Sequence, residues 1–278
     1  MFASYSLDVS NELASDSWFS YFIRIPEREL ETRKDLRDAR VFTIDPDTAK
    51  DIDDALSVQL NEDGTYDVGV HIADVSFFVK ANTALDRDAR KRATSVYLVQ
   101  RAVPMLPPML SEQLCSLLPG QDRLAFSVVF TMDADAKVQK KWYGKTIIRL
   151  VLFSIMSFFW THNPSSSAAK LAYQDAQRAI DGKPLGEALV DAAHGASHVE
   201  NDINILHSLA SKLRARRFQD GTLGLEVLSL AFKLDENGLP IDCGQYKRTE
   251  ANNLVEEVGC QSIIFASPCS QSIFSLCY

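Results

Sequence analysis

An acidic segment between two apolar runs constrains this chain more than any other feature of its sequence. Residues 45–54 (DPDTAKDIDD) hold five aspartates and one lysine. They lie between the apolar runs 41–44 and 55–58, so we expect them to form a loop that connects two buried strands. Crowding that many carboxylates beside a core is unfavourable, because like charges repel and desolvation disfavours the ionised form. A bound divalent cation would relieve both effects.

Three interpretations of this loop compete. A solvated acidic turn accounts for two or three carboxylates, but poorly for five that are flanked by strands. A calcium-binding EF-hand loop needs oxygen ligands at positions 5 and 12 and glycine at position 6. Counted from Asp45, those positions hold Ala49, Leu56 and Lys50, which excludes an EF-hand. The third is a magnesium site for phosphoryl-transfer chemistry, whose carboxylates hold hydrated ions that also bind substrate phosphate. Its candidate ligands are Asp45, Asp51, Asp53 and Asp54.

The overall composition narrows the class of protein. A net charge of −8 argues against a protein that coats nucleic acid, which would normally be basic, but is compatible with a nuclease whose substrate is bridged by metal ions. The five cysteines show no paired spacing, which favours a reducing compartment, the cytoplasm or else the nucleus. The N-terminus has no secretory pattern, and the apolar run 150–160 is too short to cross a bilayer. We therefore expect no membrane association.

Hydrophobic periodicity and turn residues predict both strands and helices. Runs 55–60 and 65–72 form a hairpin across Asp63-Gly64, and runs 125–132 and 138–148 form a second strand pair. Helices are expected over 84–93, with Thr83 as the cap, over 112–118, over 168–180 and from Ser197, where Glu200 would complete a capping box. The stretch 26–37 is also compatible with a helix.

The helix from Ser197 ends in a cluster of basic side chains. Cations there complement the helix dipole, so a solvated helix end is favoured over contact with phosphate. The cluster comprises Lys212, Arg214, Arg216 and Arg217.

Several blocks of the sequence together resemble the RNB (ribonuclease II) family of exoribonucleases. FTIDPDTAKDIDDA (42–55) and VHIADVS (70–76) are similar to its acidic signature, and residues 92–98, 103–107, 114–117 and 126–128 resemble later blocks. The likeness runs from about residue 25 to residue 257. The eukaryotic exosome nuclease and its free-standing cytoplasmic relatives form the subgroup that the chain resembles.

The resemblance implies a fold, an activity and roles for single residues. The fold is α+β, part of an RNB-type catalytic domain with a mixed, curved β-sheet surrounded by helices. The activity is 3′→5′ hydrolysis of single-stranded RNA to 5′-monophosphates with Mg²⁺, or alternatively Mn²⁺. Asp45 and Asp54 match metal ligands, Asp51 and Asp53 match catalytic aspartates, and Tyr97 matches an aromatic residue that packs against RNA, although core filling is its alternative role.

Other residues of these blocks have less defined expectations. For His71 and Asp74, structural hydrogen bonding is at least as well supported as catalysis. Glu256 or Glu257 falls where the family has a glutamate in its active-site region. Asp47 matches a variable position and is expected to face solvent.

Three segments depart from the family pattern. They are an N-terminal segment (1–24), an insertion at about 150–169 and a tail (258–278), which leave 25–257 as a partial RNB domain. The insertion and the tail are rich in Ser, Phe and Ile and nearly free of charge, which suggests translated non-coding sequence. Because the second half of the domain is missing, we expect impaired activity. The alternatives are a non-catalytic RNA-binding member of the superfamily and a product without a stable fold.

Overall fold

The computed structural model describes residues 25–150, 169–186, 189–190, 195–224, 230–235 and 239–266. Its strands are β1 (Lys34–Asp35), β2 (Val41–Asp45), β3 (Asp54–Leu60), β4 (Tyr66–Ala73), β5 (Val96–Tyr97), β6 (Ala102–Val103), β7 (Gln121–Met132), β8 (Val138–Leu150), β9 (Ala169–Ala172), β10 (Leu189–Val190), β11 (Leu230–Leu234) and β12 (Pro240–Gln245). Its helices are α1 (Glu27–Thr32), α2 (Val75–Phe78), α3 (Ala84–Arg92), α4 (Tyr173–Ile180), α5 (Gly195–Gln219) and α6 (Glu250–Ala266), with a π-helical turn at Met109–Leu114.

Eight strands form one mixed sheet in the order β1-β8-β7-β4-β3-β2-β9-β10. The β1–β8 and β2–β9 pairs are parallel, and the remaining neighbours are antiparallel. The predicted hairpins are present as β3–β4 and β7–β8, because Asp63-Gly64 and the turn at residues 133–136 separate runs with the period of two that a half-buried strand requires. Two small hairpins, β5–β6 and β11–β12, are separate from this sheet.

The main core lies between one face of the sheet and helices α4, α5 and α6. The stripe predicted for α5 faces this core, and Val199, Ile203, Leu206, Leu209 and Leu213 are all buried. From the sheet, alternate residues of β3, β4 and β7 meet them, because successive side chains point to opposite faces of a strand. The α+β architecture with a mixed sheet is therefore confirmed.

A smaller cluster lies on the other face of the sheet and includes Val41, Ile52, Ala55, Leu117 and Ile148. Ile52 belongs to the acidic loop and is fully buried. The loop is therefore attached to the core through this residue.

Four predicted elements differ from the structure. Residues 169–172 form strand β9 instead of the first turn of a helix, because they pair with β2. The stretch 26–37 contains the short helix α1 and then β1. The third difference is the π-helical turn, which ends at Leu114, four residues before the predicted helix end. Finally, α5 begins at Gly195, and Glu200 accepts a hydrogen bond from the Leu185 amide (2.9 Å), a contact outside the expected capping box.

Two other features bear on the predictions. Thr83 caps α3 as predicted, since its side chain accepts a hydrogen bond from the Asp86 amide. No helix in the described ranges is long and apolar enough to cross a membrane. The segments 1–24 and 151–168 and the tail from 267 onward lie outside the described residues, so the domain limits and the non-coding origin stay predictions.

Candidate active site

The acidic loop connects the end of β2 to the start of β3. Asp45 is the last residue of β2 and Asp54 the first of β3, so the two carboxylates flank the point where the strands separate. β2 pairs with β3 only through Val41 and Phe42, and its last three residues pair with β9 instead. This change of partner opens the sheet at the position of the aspartates.

Hydrogen bonds fix the middle of the loop. The Ile52 amide donates to Ser116 Oγ (2.9 Å), which donates to the Lys50 carbonyl (2.9 Å), and the Leu117 amide donates to the Ile52 carbonyl (2.8 Å). The Asp53 carbonyl accepts from the Ala73 amide (2.9 Å) at the end of β4. With Ile52 in the core and these bonds on either side, Asp51 and Asp53 are held on a rigid support.

Asp45 carries a buried carboxylate that is incompletely paired. Only 8% of the residue is exposed, and its Oδ2 has no hydrogen-bond partner. Burial raises the pKa of Asp45 to about 7; the nearby Thr43 hydroxyl and the charge of Lys170 oppose the rise, and the charges of Asp54 and Asp53 add to it. An unpaired buried oxygen at an acidic cluster is the kind of atom that a bound cation would satisfy.

The neighbouring aspartates share this electrostatic environment. Desolvation and then the like charges of Asp51 and Asp54 raise the pKa of Asp53 to about 6, although its side chain is exposed. Burial also raises the pKa of Asp54. Asp51 accepts a hydrogen bond from the Tyr97 hydroxyl (2.9 Å). The structure thus places the four predicted aspartates near enough for their charges to act on one another in pairs, with the predicted aromatic residue beside Asp51.

The donor set suits a hard, hydrated cation. All the candidate ligands are carboxylate oxygens, as Mg²⁺ and Mn²⁺ prefer. Within the described ranges, no three His, Cys, Asp or Glu side chains converge closely enough to hold an ion without other ligands. Mg²⁺ is usually bound through one or two carboxylates together with water and substrate phosphate, so this arrangement fits an ion that is completed by its substrate.

Tyr97 is a surface residue. It lies on β5, and 69% of it is exposed, so core filling is excluded as its role. Its neighbours Val96 and Leu98 are also exposed. The ring is therefore accessible beside the acidic loop, while its hydroxyl is held by Asp51.

Two residues near the site were not singled out from the sequence. Lys170 on β9 donates to the Ala49 carbonyl (3.3 Å) and so ties the acidic loop to this strand. Tyr173 begins α4, and its pKa is raised first by burial and then by the charges of Asp54 and Asp45. Both lie in the range 168–180 that the sequence analysis assigned to a helix, and a helical pattern alone gave no signal for a contact with the acidic loop.

The remaining candidates have structural partners. His71 is buried between Ser57 Oγ (2.9 Å) and Ser127 Oγ (2.7 Å), and burial lowers its pKa to about 4. Asp74 pairs with Arg33 (2.6 Å). Structural hydrogen bonding is thus what the structure shows for both.

The glutamates of α6 and the basic end of α5 are also engaged. Buried Glu257 accepts two hydrogen bonds from Arg217, and Glu256 pairs with Arg248. Lys212 donates to the Ala134 carbonyl, and Arg216 to the carbonyls of Asp135 and Ala136. Lys212 and Arg216 therefore bind the end of α5 to the β7–β8 turn. We predicted a solvated helix end, and these hydrogen bonds are an additional role for two of its cations.

The raised pKa of Asp45 makes stability depend on pH. Its carboxyl titrates near 7 in the folded chain but near 3.8 when unfolded, so the folded state binds more protons between these values. The stability that Asp45 contributes is present below the unfolded pKa and is lost as pH rises towards 8. In EDTA, we expect the free energy of unfolding of the wild type, relative to Asp45→Asn, to fall between pH 5 and pH 8, as measured by urea denaturation.

A magnesium ion held by Asp45 would counteract this loss, because a cation binds the ionised form of a carboxylate. Adding it at pH 8 should stabilise the wild type more than Asp45→Asn, whereas the exposed Asp47→Asn variant should follow the wild type. Identical pH profiles for wild type and Asp45→Asn would contradict the prediction.

Comparison with known proteins places this geometry in a family. The RNB domain matches residues 33–152 and 165–260. DIS3-like exonuclease 2 of Schizosaccharomyces pombe is 44% identical over 257 residues, which is 91% of this chain and 25% of that protein. The inactive exonuclease DIS3L2 of Arabidopsis thaliana is 46% identical over 237 residues, 84% of this chain and 21% of that protein.

A solved structure shares the fold. RNase R of Mycoplasma genitalium, solved with ribose-methylated single-stranded RNA, superposes with a TM-score of 0.72 at 24% identity, over 88% of this chain and 35% of that one. The chain thus spans about a quarter of the length of the curated relatives it matches. Because the family match extends over well more than half of its residues, the chain belongs to the RNB domain family.

Proposed function

We propose that this chain carries the acidic site of a magnesium-dependent exoribonuclease, which removes nucleotides from the 3′ end of single-stranded RNA as 5′-monophosphates. The observation that carries the proposal is the group of four aspartates where β2 and β3 separate, with an unpaired buried oxygen on Asp45. The relatives named exonucleases and the RNase R structure with single-stranded RNA support it. The activity of the whole protein is part of the proposal.

Each aspartate has a distinct part in the proposed reaction. Asp45 and Asp54 would hold Mg²⁺, or alternatively Mn²⁺, which when bound would neutralise phosphate charge and make water a better nucleophile. Asp53 is exposed and has a pKa of about 6, close enough to neutral pH for its carboxylate to accept a proton from the attacking water. Asp51 positions the Tyr97 ring by accepting a hydrogen bond from the Tyr97 hydroxyl.

Tyr97 supplies a stacking surface for a base, so its ring should matter more than its hydroxyl. We expect Tyr97→Ala to weaken RNA binding by about tenfold, within the usual 1–3 kcal/mol for one base–aromatic stack. Tyr97→Phe keeps the ring and loses only the hydrogen bond to Asp51, so its affinity should stay within about threefold of the wild type. Fluorescence anisotropy with labelled RNA in EDTA measures both. Equal losses in the two variants would show that the hydroxyl, and not stacking, provides the contact.

The alternative to an exoribonuclease is a domain that binds RNA without hydrolysing it. Two observations favour it: the described carboxylates do not converge into a set of three ligands, and one relative at 46% identity is named an inactive exonuclease. The presence of all four aspartates favours catalysis, because a binding domain gains nothing from a crowded acidic loop with an unpaired buried oxygen on Asp45.

The deciding experiment incubates the chain with 5′-labelled single-stranded RNA, with magnesium or with EDTA. We expect slow shortening from the 3′ end and release of 5′-monophosphates with magnesium only, with Asp47→Asn as a matched control that retains activity. RNA binding without shortening in either condition would support the non-catalytic function. Shortening in EDTA at the same rate would overturn the role given to the ion.

A further inference from the structure

Within the described residues, the outer edge of β8 has no strand partner along residues 138–145. β8 pairs with β7 along its length, but β1 meets its other side only at Thr146 and Ile147, and no other strand in the described part of the chain pairs there. Open edges commonly carry lysines that prevent association between sheets, and β8 has several. Exposed aromatic rings do not serve that purpose, yet Trp142 is 36% exposed and Tyr143 39%. Protection against sheet association therefore explains the lysines of β8 but not its exposed aromatic rings.

The indole of Trp142 is held in place on one face of the strand. It lies against Gly144, where an added Cβ would come within 2.9 Å of the indole Cζ2. Lys34 is the partner of Thr146 on this face, and its ammonium lies 4.5 Å from the centroid of the Trp142 ring. Lys140 is two residues before Trp142 and shares its face, because side chains alternate along a strand. The site thus presents a fixed ring with cations next to it.

The charge of this surface is opposite to that of the chain. The chain carries −8, whereas the segment 137–145 contains four lysines and no acidic residue. Lys145 points to Asp74 (3.4 Å). Lys34 is therefore the cation over the Trp142 ring, and Lys140, whose charge also acts on Asp63, is a second cation on the same face of β8. A patch that combines lysines with an exposed ring suits a ligand with both phosphates and aromatic bases, since cations attract the backbone and the ring stacks with any base.

We infer that Lys34, Lys140 and Trp142, the β8 strip, bind the part of a single-stranded RNA that lies outside the acidic site. Asp54, Ile72, Phe126 and Lys145 are consecutive partners across β3, β4, β7 and β8. Lys145 is therefore three sheet spacings, about 14 Å, from the acidic end of β3. Trp142 and Lys140 lie three and five residues farther along β8 from that end. This inference rests on the proposed function, because that function identifies the polynucleotide as single-stranded RNA. Binding to the strip itself requires no hydrolysis.

Binding of two RNA lengths in EDTA tests the strip separately from catalysis. A long RNA of about 20 nucleotides can reach both places, whereas one of about 4 fills only the acidic site. We expect Trp142→Ala to weaken binding of the long RNA by about tenfold and to leave the short one unchanged. The double variant Lys34→Gln/Lys140→Gln should make the negative slope of log affinity against log salt shallower by about 1.4, because each phosphate contact on a single strand contributes about 0.7 to its magnitude. The exposed Lys183→Gln is the matched control.

The outcomes separate the strip from the acidic site. Loss confined to the long RNA, with unchanged melting temperatures, supports the inference. Wild-type affinity and salt slope in both strip variants would overturn it, and so would equal losses with the short RNA. Failure of the proposed function would give a different result. The long RNA would still bind in a way that depends on the strip, but it would not be shortened when magnesium is added.

Discussion

Replacing Asp53 with asparagine is expected to slow RNA hydrolysis by at least about a hundredfold, the lower range for loss of a positioned general base. Asparagine has the size of aspartate but cannot accept a proton or carry charge. Its neighbours remain in place, because the Asp53 carbonyl, and not its side chain, receives the bond from Ala73. Initial rates of monophosphate release with magnesium measure the effect, and anisotropy in EDTA should show nearly unchanged RNA affinity.

The same substitution should stabilise the ion-free protein. Desolvation, and then like-charge repulsion from the carboxylates of Asp51 and Asp54, raise the pKa of Asp53. An amide carries no charge and removes both effects. A melting temperature above that of the wild type in EDTA, together with lost activity, would indicate a site that sacrifices stability for function. Asp47→Asn, at an exposed position of the same loop, should change neither property. Wild-type turnover in Asp53→Asn would remove Asp53 from the chemistry.

Local sequence patterns were sufficient to predict the elements that position the acidic loop. The aspartates stand between runs with strand periodicity, and Asp63-Gly64 determines the hairpin that follows, so β2, β3 and β4 could be placed from adjacent residues. The burial of Ile52 was harder to predict from the sequence. A single apolar residue among aspartates gives no periodic signal, although its burial is what fixes the loop.

Long-range pairing was not predictable in this way. Residues 169–172 are compatible with the helix that follows them, and they become a strand only because β2, more than 120 residues earlier, offers its edge. The pairing brings Lys170 and Tyr173 beside the aspartates, so the helix prediction concealed two members of the site. The hydrogen bonds of His71 to Ser57 and Ser127 likewise join three strands and have no local signature.

Replacing Arg33 with methionine is expected to destabilise the fold by about 3–5 kcal/mol, the usual cost of removing one partner of a buried ion pair. Arg33 is 5% exposed; its Nη2 donates to Asp74 (2.6 Å) and its Nε to Glu29 (2.7 Å). Without the guanidinium, the buried Asp74 carboxylate keeps Lys145 as its remaining cation. Since about 1 kcal/mol shifts the melting temperature of a domain of this size by about 2–4 °C, the midpoint should fall by about 10 °C.

The effect of this substitution should depend on pH in a defined direction. Burial acts to raise the pKa of Asp74, but hydrogen bonds from Ser76 and Arg33 hold it below its ordinary value of 3.8. The stability gained from this depressed pKa is present above pH 3.8 and is lost as pH falls through the folded pKa. Urea denaturation should therefore show the largest difference between wild type and Arg33→Met at neutral pH and a smaller one near pH 3. Arg28→Met, at a side chain that is 78% exposed, should stay within about 0.5 kcal/mol of the wild type. A difference that did not change with pH would mean that Arg33 stabilises the fold through its other contacts, such as those with Glu29 and Phe77, rather than through Asp74.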